Sequence, residues 1–154
     1  MKKRGFTLAE ILISLGIIGV VAATVLPTFV TSHKAQVYDA TRKTTESALE
    51  NAFSAMMASE MAEDLSFTKI WAEDADLYDT FSDYFKASPV TSGISGGAGF
   101  RTKAGAIVSI KKNDDGAEVK IDVNGDDGPN VRDTDIFTYF LDLNGTLKYV
   151  EDPI

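Results

Sequence analysis

Two places in the chain carry oxygen-bearing side chains in positions that call for chemistry. Asp122-Val123-Asn124-Gly125-Asp126-Asp127-Gly128-Pro129-Asn130-Val131-Arg132-Asp133 sets such side chains at positions 1, 3, 5, 9 and 12 of a twelve-residue stretch. In a calcium loop, alternate side chains of this kind converge on one hard cation, which makes Asp122, Asn124, Asp126, Asn130 and Asp133 candidate calcium ligands. The stretch departs from that pattern where Asp127 replaces the turn glycine, with Gly128 one place late, and where Asp133 stands for a longer Glu. Asx-rich loops also fold into turns with no metal. The second place is Glu10, at the mouth of sixteen uncharged residues from Ile11 to Leu26. A carboxylate at a membrane helix centre costs about 2.5–3.5 kcal/mol, and less near an end, so an intramembrane charge marks function.

Other chemistries are excluded by what the chain lacks. It has no cysteine, which removes disulfides, thiol catalysis, iron-sulfur clusters and cysteine zinc sites together. His33 is the single histidine and has no cysteine beside it, so it reads as a solvated or interfacial side chain. No catalytic triad order, metalloprotease helix, redox pair or dinucleotide fingerprint occurs, and no enzymatic activity is expected. The formal charge is −8, and Lys2, Lys3 and Arg4 are among only fifteen bases, so a body without them is three charges more negative. A surface that acidic does not suit nucleic acid or anionic lipid.

The elements that position Glu10 are read from the head. From Phe6 to Val30 the chain is mostly apolar over 25 residues, and about 20 helical residues cross a bilayer. Lys2, Lys3 and Arg4 place the N-terminus in the cytoplasm by the positive-inside rule and send the body to the other side. A secretory signal peptide shares the basic start and apolar run, but Glu10 interrupts this one and Ala22-Ala23-Thr24-Val25-Leu26-Pro27 is a poor cleavage site. A plain anchor explains the length but neither Gly5-Phe6 nor Glu10. Gly16 and Gly19, with Ala22 and Ala23, form a small-residue stripe where helices approach closely, although membrane helices are glycine-rich in any case. Pro27 invites a kink or local melting.

Lys2-Lys3-Arg4-Gly5-Phe6-Thr7-Leu8-Ala9-Glu10, followed by an apolar helical run containing Pro27, resembles the leader of type IV pilins and of type II secretion pseudopilins. The resemblance covers about 30 residues of the head. It implies cleavage after Gly5 by a prepilin peptidase, N-methylation of Phe6, and assembly of the mature chain into a helical filament with other pilin or pseudopilin subunits and an inner-membrane assembly machinery. The physics supports those roles. Gly5 lets the scissile backbone enter a narrow site, and cleavage creates an amine one helical turn before Glu10, whose carboxylate then pairs with the amine of a neighbour and acts in assembly. The missing cysteines depart from many pilins that close a C-terminal loop with a disulfide, and point to a pseudopilin or minor pilin.

Beyond Thr28 the helical pattern continues to about Met61, with Val30, Val37, Thr41, Thr44, Ala48, Ala52 and Met56 marking an apolar face. Leu77, Phe81, Tyr84 and Phe85 predict a short helix that buries aromatics and turns its acids outward. Ser88 to Gly99 reads as a flexible loop whose glycines lack the ending of a phosphate loop. Strands are expected at 100–102, 106–110, 117–121, 136–141 and 146–150, joined by turns at Lys103-Ala104-Gly105, Asn113-Asp114-Asp115-Gly116 and Leu143-Asn144-Gly145. The expected fold is α+β and pilin-like, a long N-terminal helix packed on a C-terminal antiparallel sheet. Its expected parts are a leader at 1–5, a membrane and filament-core helix at 6–30, and an extracytoplasmic domain at 31–154. Two functions follow for a bacterial inner-membrane protein. One is a structural filament subunit, and the other a membrane-anchored calcium- or ligand-binding module that does not polymerise.

Overall fold

The computed structural model describes residues 5–73, 75–90 and 99–150. Most of the expected 88–99 loop, residues 91–98, and the basic residues Lys2, Lys3 and Arg4 lie outside the described residues. The chain divides into two compact units, Met1–Val37 and Tyr38–Ile154. One helix, α1 (Leu8–Glu60), contributes to both.

In the first unit, α1 is apolar on every side and its most apolar eighteen residues bury nothing. Pro27 lies inside the helix. The hydroxyls of this segment bond back to its own carbonyls: Ser14 donates to Glu10 O at 2.7 Å, Thr28 to Val25 O at 2.8 Å and Thr31 to Pro27 O at 3.1 Å. Such bonding satisfies the hydroxyls within the helix itself. A Cβ built on Gly16 or Gly19 meets nothing, so nothing within the chain requires glycine there.

In the second unit, α1 buries Thr45, Leu49, Ala52, Phe53 and Met56. This corrects the expected face. Thr44 is exposed and Ala48 only half-buried, because the bulk of Leu49 and Phe53 pulls the buried stripe about one residue round from the 41/44/48 line. The helix ends at Met61, whose φ of 53° is the left-handed turn usually given to glycine. Ala62 N–H closes that turn on Met57 O at 2.9 Å.

The sheet is an antiparallel meander in strict chain order: β1 (Ala87–Pro89), β2 (Gly99–Thr102), β3 (Ile107–Asn113), β4 (Gly116–Asp122), β5 (Ile136–Asp142) and β6 (Leu147–Tyr149). Five strands fall close to the expected positions. The sixth is a correction: Ala87–Pro89, read partly as loop, pairs with β2 through Ala87↔Thr102 and Pro89↔Phe100. Proline sits there at no cost because β1 is an edge. Phe100, Val108, Val119, Tyr139 and Leu141 face the helix and are fully buried. The helix α2 (Leu77–Ser82) adds Leu77 and Phe81, and Asp76 caps it by accepting from Tyr78 N at 2.8 Å and Asp79 N at 3.1 Å. Tyr84 and Phe85 lie beyond its end, half-buried. Phe81 stacks on Phe100 at 4.8 Å and meets Phe53 edge-on at 5.5 Å, so α1, α2 and β2 share one aromatic cluster.

The register of α1 is directly testable. Phe53→Ala should destabilise the folded body by about 3–5 kcal/mol, and Thr44→Ala by less than about 0.5 kcal/mol, in denaturant unfolding followed by Trp71 fluorescence. Equal losses would restore the face drawn from spacing alone.

Candidate functional site

At the head, Glu10 occupies the third position of the helix that Thr7 opens. Thr7 O accepts the first helical bond, from Ile11 N at 3.2 Å, which makes Thr7 the N-cap. The two residues then bond reciprocally. Glu10 Oε2 accepts from Thr7 N–H at 2.8 Å and from the Thr7 hydroxyl at 2.7 Å, while Glu10 N–H donates to Thr7 Oγ1 at 3.2 Å. This is a capping box, in which two otherwise orphaned backbone donors are satisfied and a negative charge sits at the positive end of the helix. Thr7 is passed over by an argument from charge alone, yet Thr7-x-x-Glu10 is the sequence signature of that box. Gly5 and Phe6 precede the helix in non-helical backbone, with Phe6 84% exposed. His33, exposed, stacks on Phe29, with ring centres 6.3 Å apart.

In the 122–135 loop, the five candidate ligands serve different partners. Asp122 Oδ1 accepts from Asn124 N at 3.2 Å and Gly125 N at 3.0 Å, closing a turn on itself. Burial, with Asp135 and Asp126 nearby, pushes its carboxyl above the ordinary range. Asp126 pairs with Arg101, which also donates to Gly105 O at 3.3 Å and so ties the β2–β3 turn to this loop. Asn130 and Asp133 take φ of 56° and 59°, the left-handed region that Asn and Asp enter more readily than other side chains. Asp133 accepts from the Tyr149 hydroxyl at 2.7 Å. The Oδ1 of Asn124 is buried and has no hydrogen-bond partner among the described residues. Among the described residues no group of three or more His, Cys, Asp or Glu side chains is placed to hold a metal.

The loop also closes around Asp135, outside the twelve-residue pattern. It is fully buried. Its carboxylate accepts from Asn130 N at 2.8 Å, Val131 N at 2.5 Å and Asn124 Nδ2 at 3.1 Å, and its backbone O accepts from Val123 N at 2.8 Å. A buried carboxylate with three N–H donors is a stable arrangement that replaces its lost hydration.

A third polar cluster joins helix and sheet within the second unit. Arg42 donates to the Tyr139 hydroxyl at 2.9 Å and to Asp39 at 3.0 Å, and its guanidinium lies over Phe137 and Tyr149 at 5.3 and 5.6 Å. Tyr139 in turn donates to Glu46 at 3.1 Å, and burial pushes its hydroxyl up to about 12. Glu50 accepts from Leu147 N at 3.1 Å, covering a donor on the open edge of β6.

Asp135→Asn should cost about 1–3 kcal/mol of unfolding free energy, because the amide offers its donors in place of one acceptor. Calcium held by Asp122, Asn124, Asp126, Asn130 and Asp133 should raise the melting temperature of the full chain at millimolar concentration; no shift would remove that site.

No curated protein matches the chain significantly. Residues 1–26 match the family model of the prokaryotic N-terminal methylation motif. With an exposed apolar helix and a capped Glu10 following Gly5-Phe6, the head of this chain carries a match to that methylation motif, the signature of type IV pilin and pseudopilin precursors.

Proposed function

We propose that the chain is a pseudopilin or minor pilin, inserted in the bacterial inner membrane with its N-terminus in the cytoplasm. A prepilin peptidase cleaves it between Gly5 and Phe6 and methylates Phe6. The mature chain then assembles with other pilin or pseudopilin subunits, on an inner-membrane machinery, into a type IV pilus or a type II secretion pseudopilus.

The observation that carries this reading is the capping box at the start of a helix whose apolar sides have no cover within their own unit. Thr7 engages Glu10 Oε2, and Glu10 Oε1 has no partner among the described residues. In the precursor the cap keeps part of the charge satisfied as the helix enters lipid. Cleavage replaces the Phe6 amide by an ammonium, and the open Oε1 accepts that group from a neighbouring subunit in register. Two charges costly in lipid thereby neutralise each other only in the assembled state. Ile11, Leu12, Ile13, Leu15, Ile17 and Ile18 are 46–64% exposed, so lipid before assembly and neighbouring helices after it supply the contacts they lack.

Intact mass of membrane-extracted protein should show loss of Met1–Gly5 and one methyl group on Phe6; a chain that keeps Met1 favours the non-polymerising anchored module. Glu10→Leu should insert and be cleaved yet leave sheared filament fractions empty, with Thr7→Val intermediate because its backbone N–H still reaches Glu10. Filaments of Glu10→Leu at wild-type yield would rule out the charge pair.

A further inference from the structure

The proposed cleavage leaves Phe6 and Thr7 ahead of the helix. Gly5, Phe6 and Thr7 are non-helical and α1 begins at Leu8. Neither Phe6 nor Thr7 is a strong helix breaker, so another cause holds that boundary. A helix leaves its first four N–H groups without intrahelical acceptors, and where water is scarce such donors must find partners. Side chains can cap them in place, or the helix can add a turn upstream whose carbonyls accept them. The added turn would contain Gly5 and Phe6.

The bonds between Thr7 and Glu10 select the first outcome. The Thr7 hydroxyl accepts from Glu10 N–H at 3.2 Å, and its own proton is engaged by Glu10 Oε2 at 2.7 Å. The capped donor is a backbone group, which Glu10→Leu retains, so this half of the box is separate from the carboxylate. It leaves the scissile bond open. A Cβ built on Gly5 meets nothing within 4 Å, and Phe6 is 84% exposed. In the cleavage, water adds to the Gly5 carbonyl carbon, the C–N bond breaks, and the Phe6 nitrogen takes both protons of that water to become an ammonium beside a Gly5 carboxylate. The addition requires the attacking oxygen within about 3–3.5 Å of the carbonyl carbon, along an open face. A helical peptide unit has its N–H and C=O engaged along the axis and is packed between turns, whereas a non-helical one can pair with a strand of the enzyme.

We infer that Thr7 is a positioning residue for that cleavage: its hydroxyl starts the helix at Leu8 and so keeps the Gly5–Phe6 bond out of it, available to the peptidase. The two halves of the capping box then serve successive steps, the hydroxyl in processing and the carboxylate in assembly. The inference rests on the processing proposed above and names a residue that sets its rate.

A series at position 7 of the full-length precursor, pulse-labelled in cells that carry a prepilin peptidase and followed in the membrane fraction, tests this role. Serine and asparagine cap helices about as well as threonine, whereas valine keeps the shape of threonine and cannot cap. Thr7→Ser and Thr7→Asn should be cleaved within about twofold of the wild-type rate, and Thr7→Val at least about fivefold more slowly. In the uncleaved precursor in detergent micelles, the Phe6 Cα chemical shift should move to the helical side in Thr7→Val and stay in place in Thr7→Asn. Thr7→Val cleaved at the wild-type rate overturns the positioning role and leaves the processing reading intact. Equal slowing of Thr7→Asn and Thr7→Val overturns it as well, because the peptidase then reads the threonine side chain itself, and so does a Phe6 shift that Thr7→Val leaves unmoved. Wild-type precursor that stays uncleaved beside a processed control prepilin overturns both.

Discussion

A carboxylate removed from water must find donors, and much of this chain is arranged to supply them. Glu10 takes two from Thr7 at the head of a helix with no charge for sixteen residues after it. Asp135 takes three from the loop that wraps it. Asp122 folds its own turn, and Glu46 and Glu50 receive a tyrosine hydroxyl and a strand-edge N–H from the sheet. At Asp122 and Asp135, which are buried, these donors offset the desolvation cost. Together they show how a chain with 23 acids and no cysteine forms a compact body without a covalent staple.

The two halves of α1 differ in what they bury. Up to Val37 the helix buries none of its residues, and the hydroxyls bond back to its own carbonyls. From Tyr38 onward the helix acquires one buried stripe, Thr45 through Met56, and a flank on which Arg42 bridges to aromatic rings of the sheet. Arg42 combines a hydrogen bond to a buried tyrosine with two ring faces, and lysine offers neither the planar fork nor the stacking.

The long helix and the antiparallel meander were legible because apolar periodicity and turn residues are local signals. The 103–105, 113–116 and 143–145 turns all stand where their glycines put them. Spacing was less informative wherever a side chain's partner is distant in sequence. Thr44 and Thr45 fit helical periodicity almost equally, and only the position of the sheet makes Thr45 the buried one. In the acidic loop, the regular spacing from Asp122 to Asp133 drew attention to five residues, while the residue that organises the loop, Asp135, lies two places further on. Thr7 was available to a reader looking for caps and hidden from one looking for charges.

The order of the strands has a kinetic meaning. Every strand pairs with its neighbour in sequence, from β1 to β6, and the joining turns between β2 and β4 and between β5 and β6 are only a few residues long. Closing short loops costs little chain entropy, and topologies built from such local pairings fold quickly. The sheet can thus pair hairpin by hairpin, which shortens the time in which strand edges other than those of β1 and β6 lie open to misassembly.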